Sequence, residues 1–243
     1  MFGATFWALL VLAVTPFFAA CALPSGAGDE ARFAKDRERM VRTQLVARDI
    51  VDQRTLAAMG KVPRHLFVPA EQLRLAYEDT PLPIGHEQTI SQPYIVALMT
   101  QLAQAAPGKK ALDVGTGSGY QAAVLAETCS KVYSIEILCD LAAEAEARLK
   151  RLGYTNVVGR CGDGYRGWPE AAPFDVIIVA AAPTEVPAPL VEQLAPGGRL
   201  VIPVGGGSQE LLVIERGKDG TIRRWSAGGV RFVPMTGEAQ RRP

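Results

Sequence analysis

Apolar positions along this chain fall into distinct regimes. Between residues 30 and 48, Phe33, Met40, Val41, Leu45 and Val46 recur among frequent charges, a spacing that predicts an amphipathic helix. Asp52 stands where a cap would open a short helix running to residue 59, closed by Gly60 and Pro63. Residues 63–92 hold no long periodic run, and Pro81, Pro83 and Gly85 predict an ordered loop rather than strand or helix. Pro93 suits the first turn of a helix that reaches residue 105 and is stopped by Pro107-Gly108.

From residue 111 the pattern alternates. Short apolar runs at 111–114, 132–135, 156–158, 174–180 and 199–204 predict strands, with helices over 120–127, 138–152 and 189–194. Within 174–180, the unbroken apolar run that follows Asp175 implies burial on both faces. Two later strands, 211–215 and 222–233, are joined by Lys218-Asp219-Gly220. The expected fold is therefore α/β: a doubly wound, mostly parallel, Rossmann-like sheet with N-terminal helices and a C-terminal antiparallel addition.

Composition narrows the function. At ~150 residues per domain, 243 residues make one large domain or one domain with additions. With 48% hydrophobic and 21% charged residues the chain can build a sizeable core. A formal charge of +1 gives no basic footprint for nucleic acid. Two histidines, His65 and His86, and four cysteines with no C-x-x-C pair offer little to a metal, and none is expected. His65 reads as a packing or surface residue. Setting Cys21 aside leaves Cys129, Cys139 and Cys161, an odd count that predicts no full disulfide framework and small core or near-surface roles.

Residues 1–28 form a separate segment. No side chain there is charged, residues 6–20 are almost wholly apolar, Ala19-Ala20-Cys21 resembles a lipoprotein cleavage box, and Ser25 to Gly28 reads as a flexible tether. The segment is expected to be an apolar leader, either an export or lipoprotein signal or a membrane anchor through residues 1–23. Residues 29–243 form the domain.

The sharpest chemical signal is Leu112-Asp113-Val114-Gly115-Thr116-Gly117-Ser118-Gly119-Tyr120, at a strand end and a helix start. Glycine there admits positive φ and lets a cofactor approach bare backbone. A dinucleotide site wants G-x-G-x-x-G, but Tyr120 stands in the sixth place and the third glycine comes early, at Gly119. That spacing favours a methyltransferase over a nicotinamide enzyme. Glu136 closes the next strand, where a carboxylate can accept hydrogen bonds from both ribose hydroxyls. Gly162-Asp163-Gly164 places a second acidic, glycine-flanked loop at the same sheet edge.

Residues 77–94 read as a long ordered loop, which is uncommon without a function. The stretch from Tyr77 to Met99, centred on Gln88-Thr89-Ile90-Ser91-Gln92-Pro93-Tyr94, closely resembles the protein-L-isoaspartate O-methyltransferase family. So do Val62-Pro63-Arg64 with Phe67-Val68-Pro69, the glycine turn, Gly162-Asp163-Gly164, Ala172-Pro173-Phe174-Asp175, Gln193 to Gly198, and Val230 to Met235. The resemblance spans residues 35–240 and implies a class I methyltransferase fold.

By that resemblance, the family's active-site serine falls on Ser91. The cofactor, S-adenosyl-L-methionine, would be held by Gln88, Thr89, Ile90, Asp113, Gly115, Gly117, Gly119, Glu136, Asp163 and Gly164, with Thr236 a further contact. Ile84, Gly85 and Val233 would lie against substrate, an L-isoaspartyl residue of a damaged protein. The implied activity is protein repair: methylation of the isoaspartyl α-carboxylate, succinimide formation and partial return to aspartate. A carboxylate is already ionised at neutral pH, so no general base is needed; Ser91 would position it by donating a hydrogen bond, and a second role as cap of the following helix is compatible with that. Many relatives carry glycine where this chain has Glu87, preceded here by His86. Family and cofactor supply imply a cytoplasmic setting, and the apolar leader a periplasmic or membrane-anchored one.

Overall fold

The computed structural model describes residues 27–240. Most of the apolar leader lies outside the described residues; its last two residues, Ala27 and Gly28, belong to the first helix. Among the described residues no helix is long and apolar enough to cross a membrane.

The expected helix over 30–48 is α1 (Ala27–Met40) followed by a π-helical turn, Val41–Val46. The wider turn has a packing cause. Met40 and Leu45, five residues apart, are both fully buried, whereas α-helical spacing would turn Gln44 inward. Gln44 Nε2 instead donates to the Tyr77 carbonyl at 2.8 Å. Asp52 caps α2 (Gln53–Lys61), its carboxylate accepting from the Thr55 N–H at 2.9 Å.

Residues 63–92 are more regular than the loop expected of them. Two 3₁₀ segments, Arg64–Phe67 and Ala70–Leu75, lead into a hairpin of β1 (Leu82–Gly85) and β2 (Gln88–Ile90). A two-residue turn, His86-Glu87, closes the hairpin with φ of 52° and 57°. Positive φ at both central positions is what the right-handed twist of a hairpin requires. The loop expectation failed because its Pro and Gly content masks a strand pair of only seven residues.

After α3 (Pro93–Leu102) the strands and helices alternate: β3 (Lys110–Val114), α4 (Tyr120–Thr128), β4 (Lys131–Glu136), α5 (Cys139–Arg151), β5 (Val157–Cys161), β6 (Phe174–Val179), α6 (Ala188–Glu192), β7 (Leu194–Gly205), β8 (Gln209–Arg216) and β9 (Ile222–Val230). The seven-stranded sheet has the order β5-β4-β3-β6-β7-β8-β9. Its first five strands are parallel, and β8 and β9 are added antiparallel. The Pro196-Gly197-Gly198 turn lies inside β7 as a wide bulge: Phe174 pairs with Leu194 and Val176 with Arg199.

Alternation with period two sends side chains to both faces. Ala111, Val132, Val176, Ile178 and Val201 face the layer of α1 to α4, while Leu112, Ile135, Ile177, Val179 and Leu200 pack with Tyr165, Leu190 and Met235. His65 is buried, stacked on Phe33 with centroids 4.0 Å apart. Next to it, the fully buried Arg64 lies 4.8 Å over the Tyr120 ring and donates from Nε to the Ala76 carbonyl at 2.8 Å. Burial lowers the Arg64 pKa to about 10.

Two of the three cysteines depart from expectation. Cys139 and Cys161 form a disulfide, leaving Cys129 as the free cysteine among the described residues. Counting thiols could not find this pair, because residues 22 apart meet only when two neighbouring parallel strands bring their ends together.

Candidate functional site

The chain adds strands on one side of β3 as far as β5 and then on its other side from β6, and the carboxyl ends of these parallel strands open a crevice at that switch of strand order. The crevice is a cleft of about 910 Å³ including its open mouth, walled by three segments of the sheet edge, the hairpin and the C-terminal chain. The glycine turn after β3 supplies its floor. Gly115, Gly117 and Gly119 all have positive φ, at 89°, 52° and 88°. The cleft meets Gly115, Thr116, Gly117 and Ser118, and then Tyr120 where α4 begins.

Glu136 stands at the end of β4, 6% exposed, with both oxygens engaged from the backbone. Oε2 accepts from the Gly117 N–H at 2.9 Å and Oε1 from the Leu138 N–H at 3.1 Å. The carboxylate is thereby fixed in orientation while still lining the cleft. Apolar walls rise on either side from Ile135, Ile137, Leu138 and Met235. Gly164 completes this wall. A Cβ there would overlap Val114 Cγ1, so the loop approaches β3 only because the residue is glycine.

On the far side, Gln88 to Ile90 of β2 and Ser91 close over the cleft. The N-cap of α3 is Gln92, with no side-chain capping bond of its own. Asp79 caps this helix instead: its carboxylate accepts from the Tyr94 N–H at 3.2 Å and from Gln92 Nε2 at 2.8 Å. Ser91 is thus released from the capping role that the sequence allowed it, and it lines the cleft.

A second groove, about 1640 Å³ including its open mouth, adjoins the first and runs between Ile95, Ser208, Gln209 and the segment from Gly229 to Val233. The two spaces share Thr89, Ser91, Ala180 and Val233 as a common wall.

Several expected contacts sit elsewhere. Asp113 is fully buried beneath the turn rather than in the cleft. Its Oδ2 accepts from the Ser134 hydroxyl at 2.8 Å, and Ser134 in turn meets Thr116 Oγ1 at 2.7 Å. Burial pushes the Asp113 pKa up to about 7, opposed by the Ser134 hydrogen bond and reinforced by Glu136. The residue props the glycine turn from below. Gly119 packs against α5, where an added Cβ would meet Leu149 at 3.2 Å. Both oxygens of Asp163 are taken by backbone N–H groups, Tyr165 at 2.9 Å and Glu238 at 2.8 Å, so it ties the C-terminal segment down. Ile84 touches the turn over Gly117, 3.5 Å from the Cβ that position would carry, and Gly85 turns away into the hairpin end. Of the expected substrate contacts, Val233 alone lies on the walls of both spaces.

Sequence reasoning did not single out Ile137, Leu138, Ala180, Ala181, Pro234 and Met235, all of which line the cleft. Position was the available signal for four of them. Residues directly after parallel strands at a switch of strand order face the crevice, and 137, 138, 180 and 181 directly follow β4 and β6. Pro234 and Met235 had no such signal. They arrive through backbone bonds between Ala182 and Val233 and between Met235 and Ala182, at 2.8 Å each.

A doubly wound sheet with a glycine turn, an acidic residue at the end of the second strand and a cleft at the reversal point defines a class I, S-adenosyl-L-methionine-dependent methyltransferase. Comparison with known proteins is narrower. The family model of protein-L-isoaspartate(D-aspartate) O-methyltransferase matches residues 35–240. A protein-L-isoaspartate O-methyltransferase of Opitutus terrae is 58% identical over 204 residues, covering 84% of this chain and 88% of its own. One from Polaromonas sp. is 55% identical over 202 residues, covering 82% and 95%. Among solved structures, a protein-L-isoaspartate O-methyltransferase superposes with a TM-score of 0.76 at 31% identity, over 84% of this chain and 67% of that one. A second, from Plasmodium falciparum and in complex with S-adenosyl-L-homocysteine, gives 0.71 at 29% identity over 82% and 98%. This chain belongs to the protein-L-isoaspartate(D-aspartate) O-methyltransferase family.

Proposed function

We propose that the chain repairs damaged proteins by transferring the methyl of S-adenosyl-L-methionine to the α-carboxylate of L-isoaspartyl residues, at the wall where its two spaces meet. The observation that carries this reading is the shared boundary at Thr89, Ser91, Ala180 and Val233. A donor in the glycine-floored cleft and a peptide in the outer groove would face each other there.

The residues suit the ligand. The apolar walls of Ile135, Ile137, Leu138 and Met235 accept a flat purine, the fixed Glu136 carboxylate accepts hydrogen bonds from a ribose diol, and the backbone at Gly115 and Gly117 admits close approach. The bound sulfonium supplies an already activated methyl. The isoaspartyl α-carboxylate, whose ordinary pKa is about 3.5, arrives ionised. What remains is orientation: bringing oxygen and carbon into line at ~3 Å. The Ser91 hydroxyl holds the carboxylate by donating a hydrogen bond, and Val233 packs against the substrate chain. The neighbouring backbone nitrogen then attacks the ester carbonyl and expels the methoxy group as methanol, giving a succinimide whose hydrolysis returns part of the residue to aspartate. Asp113, Gly119 and Asp163 support the cleft from behind.

The test uses the full chain with methyl-labelled S-adenosyl-L-methionine and two peptides differing only in isoaspartate versus aspartate. Base-labile label on the isoaspartyl peptide alone is expected. Label on neither, with S-adenosyl-L-homocysteine still bound, overturns the substrate assignment.

For residues 1–28 we propose a leader that directs export or anchors the domain. Their lack of charge and the Ala19-Ala20-Cys21 box support this, as does a disulfide, a bond that persists in oxidising compartments. Cell fractionation with protease protection tests it: a wholly soluble cytosolic product retaining residues 1–28 would sink the proposal.

A further inference from the structure

The Cys139–Cys161 pair occupies a particular place. Cys139 is the first residue of α5, directly after the cleft-lining Ile137 and Leu138. Cys161 is the last residue of β5 and pairs in register with Glu136. Beyond it come Gly162, whose N–H donates to the Glu136 carbonyl at 2.8 Å, then Asp163 and the cleft-lining Gly164. The bond therefore joins the two loops that form one wall of the cofactor cleft.

Without it, that wall rests on an edge. β5 is the outermost strand and pairs with β4 alone, so its last register pair is where the sheet would fray first. Displacement there would spread, because Asp163 holds the C-terminal segment through the Glu238 N–H, and Pro234, Met235 and Thr236 of that segment line the cleft. Gly237 is packed so closely against this corner that a Cβ would come within 2.7 Å of both Asp163 Oδ2 and Ile137 Cδ1. The two cysteines are themselves exposed, open to soluble thiols and disulfides.

We propose that Cys139 and Cys161 form a reversible thiol–disulfide modification site that sets the cofactor affinity of the adjoining cleft. Oxidised, the pair clamps the Glu136 and Gly164 loops together; reduced, it releases them. A soluble dithiol attacks one sulfur, breaking the cystine bond through a mixed disulfide. That first attack frees one cysteine; the second thiol then attacks the mixed disulfide and displaces the cysteine still held in it, giving two protein thiols and an oxidised cyclic dithiol, with two electrons and two protons transferred. A low-molecular-weight disulfide such as oxidised glutathione reverses the exchange and leaves as two thiols.

This rests on the reading of the cleft as the S-adenosyl-L-methionine site. The experiment measures S-adenosyl-L-homocysteine affinity of the full chain by calorimetry after treatment with oxidised glutathione or with dithiothreitol, alongside alkylation and peptide mapping without reduction. The expected results are a Cys139–Cys161 cross-linked peptide after oxidation and an affinity roughly tenfold weaker after reduction, as for a competent state only about one-tenth populated. The Cys139→Ser/Cys161→Ser variant should bind like the reduced protein and ignore both reagents, whereas Cys129→Ala should keep the response. Alkylation of both thiols after oxidation, equal affinity in the two states, or an unchanged response in the double variant would overturn the switch. Binding in neither state would instead overturn the reading of the cleft.

Discussion

The backbone N–H of Gly117 donates to Glu136 Oε2 across 2.9 Å, tying the turn after β3 to the end of β4. With Leu138 N–H on the other oxygen, the carboxylate is oriented before any ligand arrives. Glu136→Gln would turn an amide NH₂ toward one of these two donors and remove the charge. Hydrogen bonds to a charged group are worth roughly 1.5–3 kcal/mol, so S-adenosyl-L-homocysteine should bind about tenfold to a hundredfold more weakly in calorimetry. An unchanged dissociation constant would remove Glu136 from the ribose role.

Ser91 should behave differently. Because Asp79 caps α3, Ser91→Ala takes away no cap, and thermal stability should stay within about 0.5 kcal/mol of the parent. If the hydroxyl holds the substrate carboxylate, kcat/KM on an isoaspartyl peptide should fall roughly tenfold to a hundredfold. Affinity for S-adenosyl-L-homocysteine should be nearly untouched. Equal loss of both would make Ser91 a structural part of the cofactor cleft.

The hairpin closes on two non-glycine residues in the left-handed region, His86 and Glu87, the latter at φ 57°. An L-residue in the left-handed region costs about 1–2 kcal/mol. Glu87→Gly, less the extra freedom glycine gains when unfolded, should stabilise by about 0.5–1 kcal/mol. For a domain of this size that is a rise in Tm of roughly 1–4 °C by scanning calorimetry. A fall in Tm would mean that the Glu87 side chain makes a stabilising contact outweighing its strain.

Asp113 predicts a pH dependence of stability. Its folded pKa of about 7 lies above the ordinary 3.8, so the folded state binds this proton more tightly than the unfolded chain does. The contribution is fully present below about pH 4 and is lost as pH rises through about 7, at roughly 1.4 kcal/mol for each tenfold difference in proton affinity. Urea unfolding of the parent should show a declining component between about pH 4 and 7 that Asp113→Asn lacks. Parallel profiles for the two proteins would show that Asp113 is ionised throughout.

The alternation of strands and helices was legible because each element is defined by its own period. Parallel strands buried on both faces leave continuous apolar runs such as 176–179, and α4 and α5 announce themselves by glycine on one side and apolar spacing along their length. The hairpin at 82–90 was not legible: three or four residues per strand are too few to show a period, and its turn lacks the glycine or asparagine that usually marks one. The π-helical turn at 41–46 escaped for another reason, since only the demand to bury Leu45 after Met40 forces the wider winding.

The same division runs through the site. By itself the sequence determined the sheet, the glycine turn and the place of Glu136, because local periodicity and backbone sterics act within a few residues. It also placed Gln88 to Ser91 beside the cleft through family resemblance. Tertiary structure alone decided that Asp113 gives one oxygen to Ser134 and Asp163 both of its oxygens to Tyr165 and Glu238, that Asp79 rather than Ser91 caps α3, and that Cys139 meets Cys161. Those pairings depend on which distant backbone groups arrive within about 3 Å, and sequence spacing carries no record of that distance until the strands have taken their order.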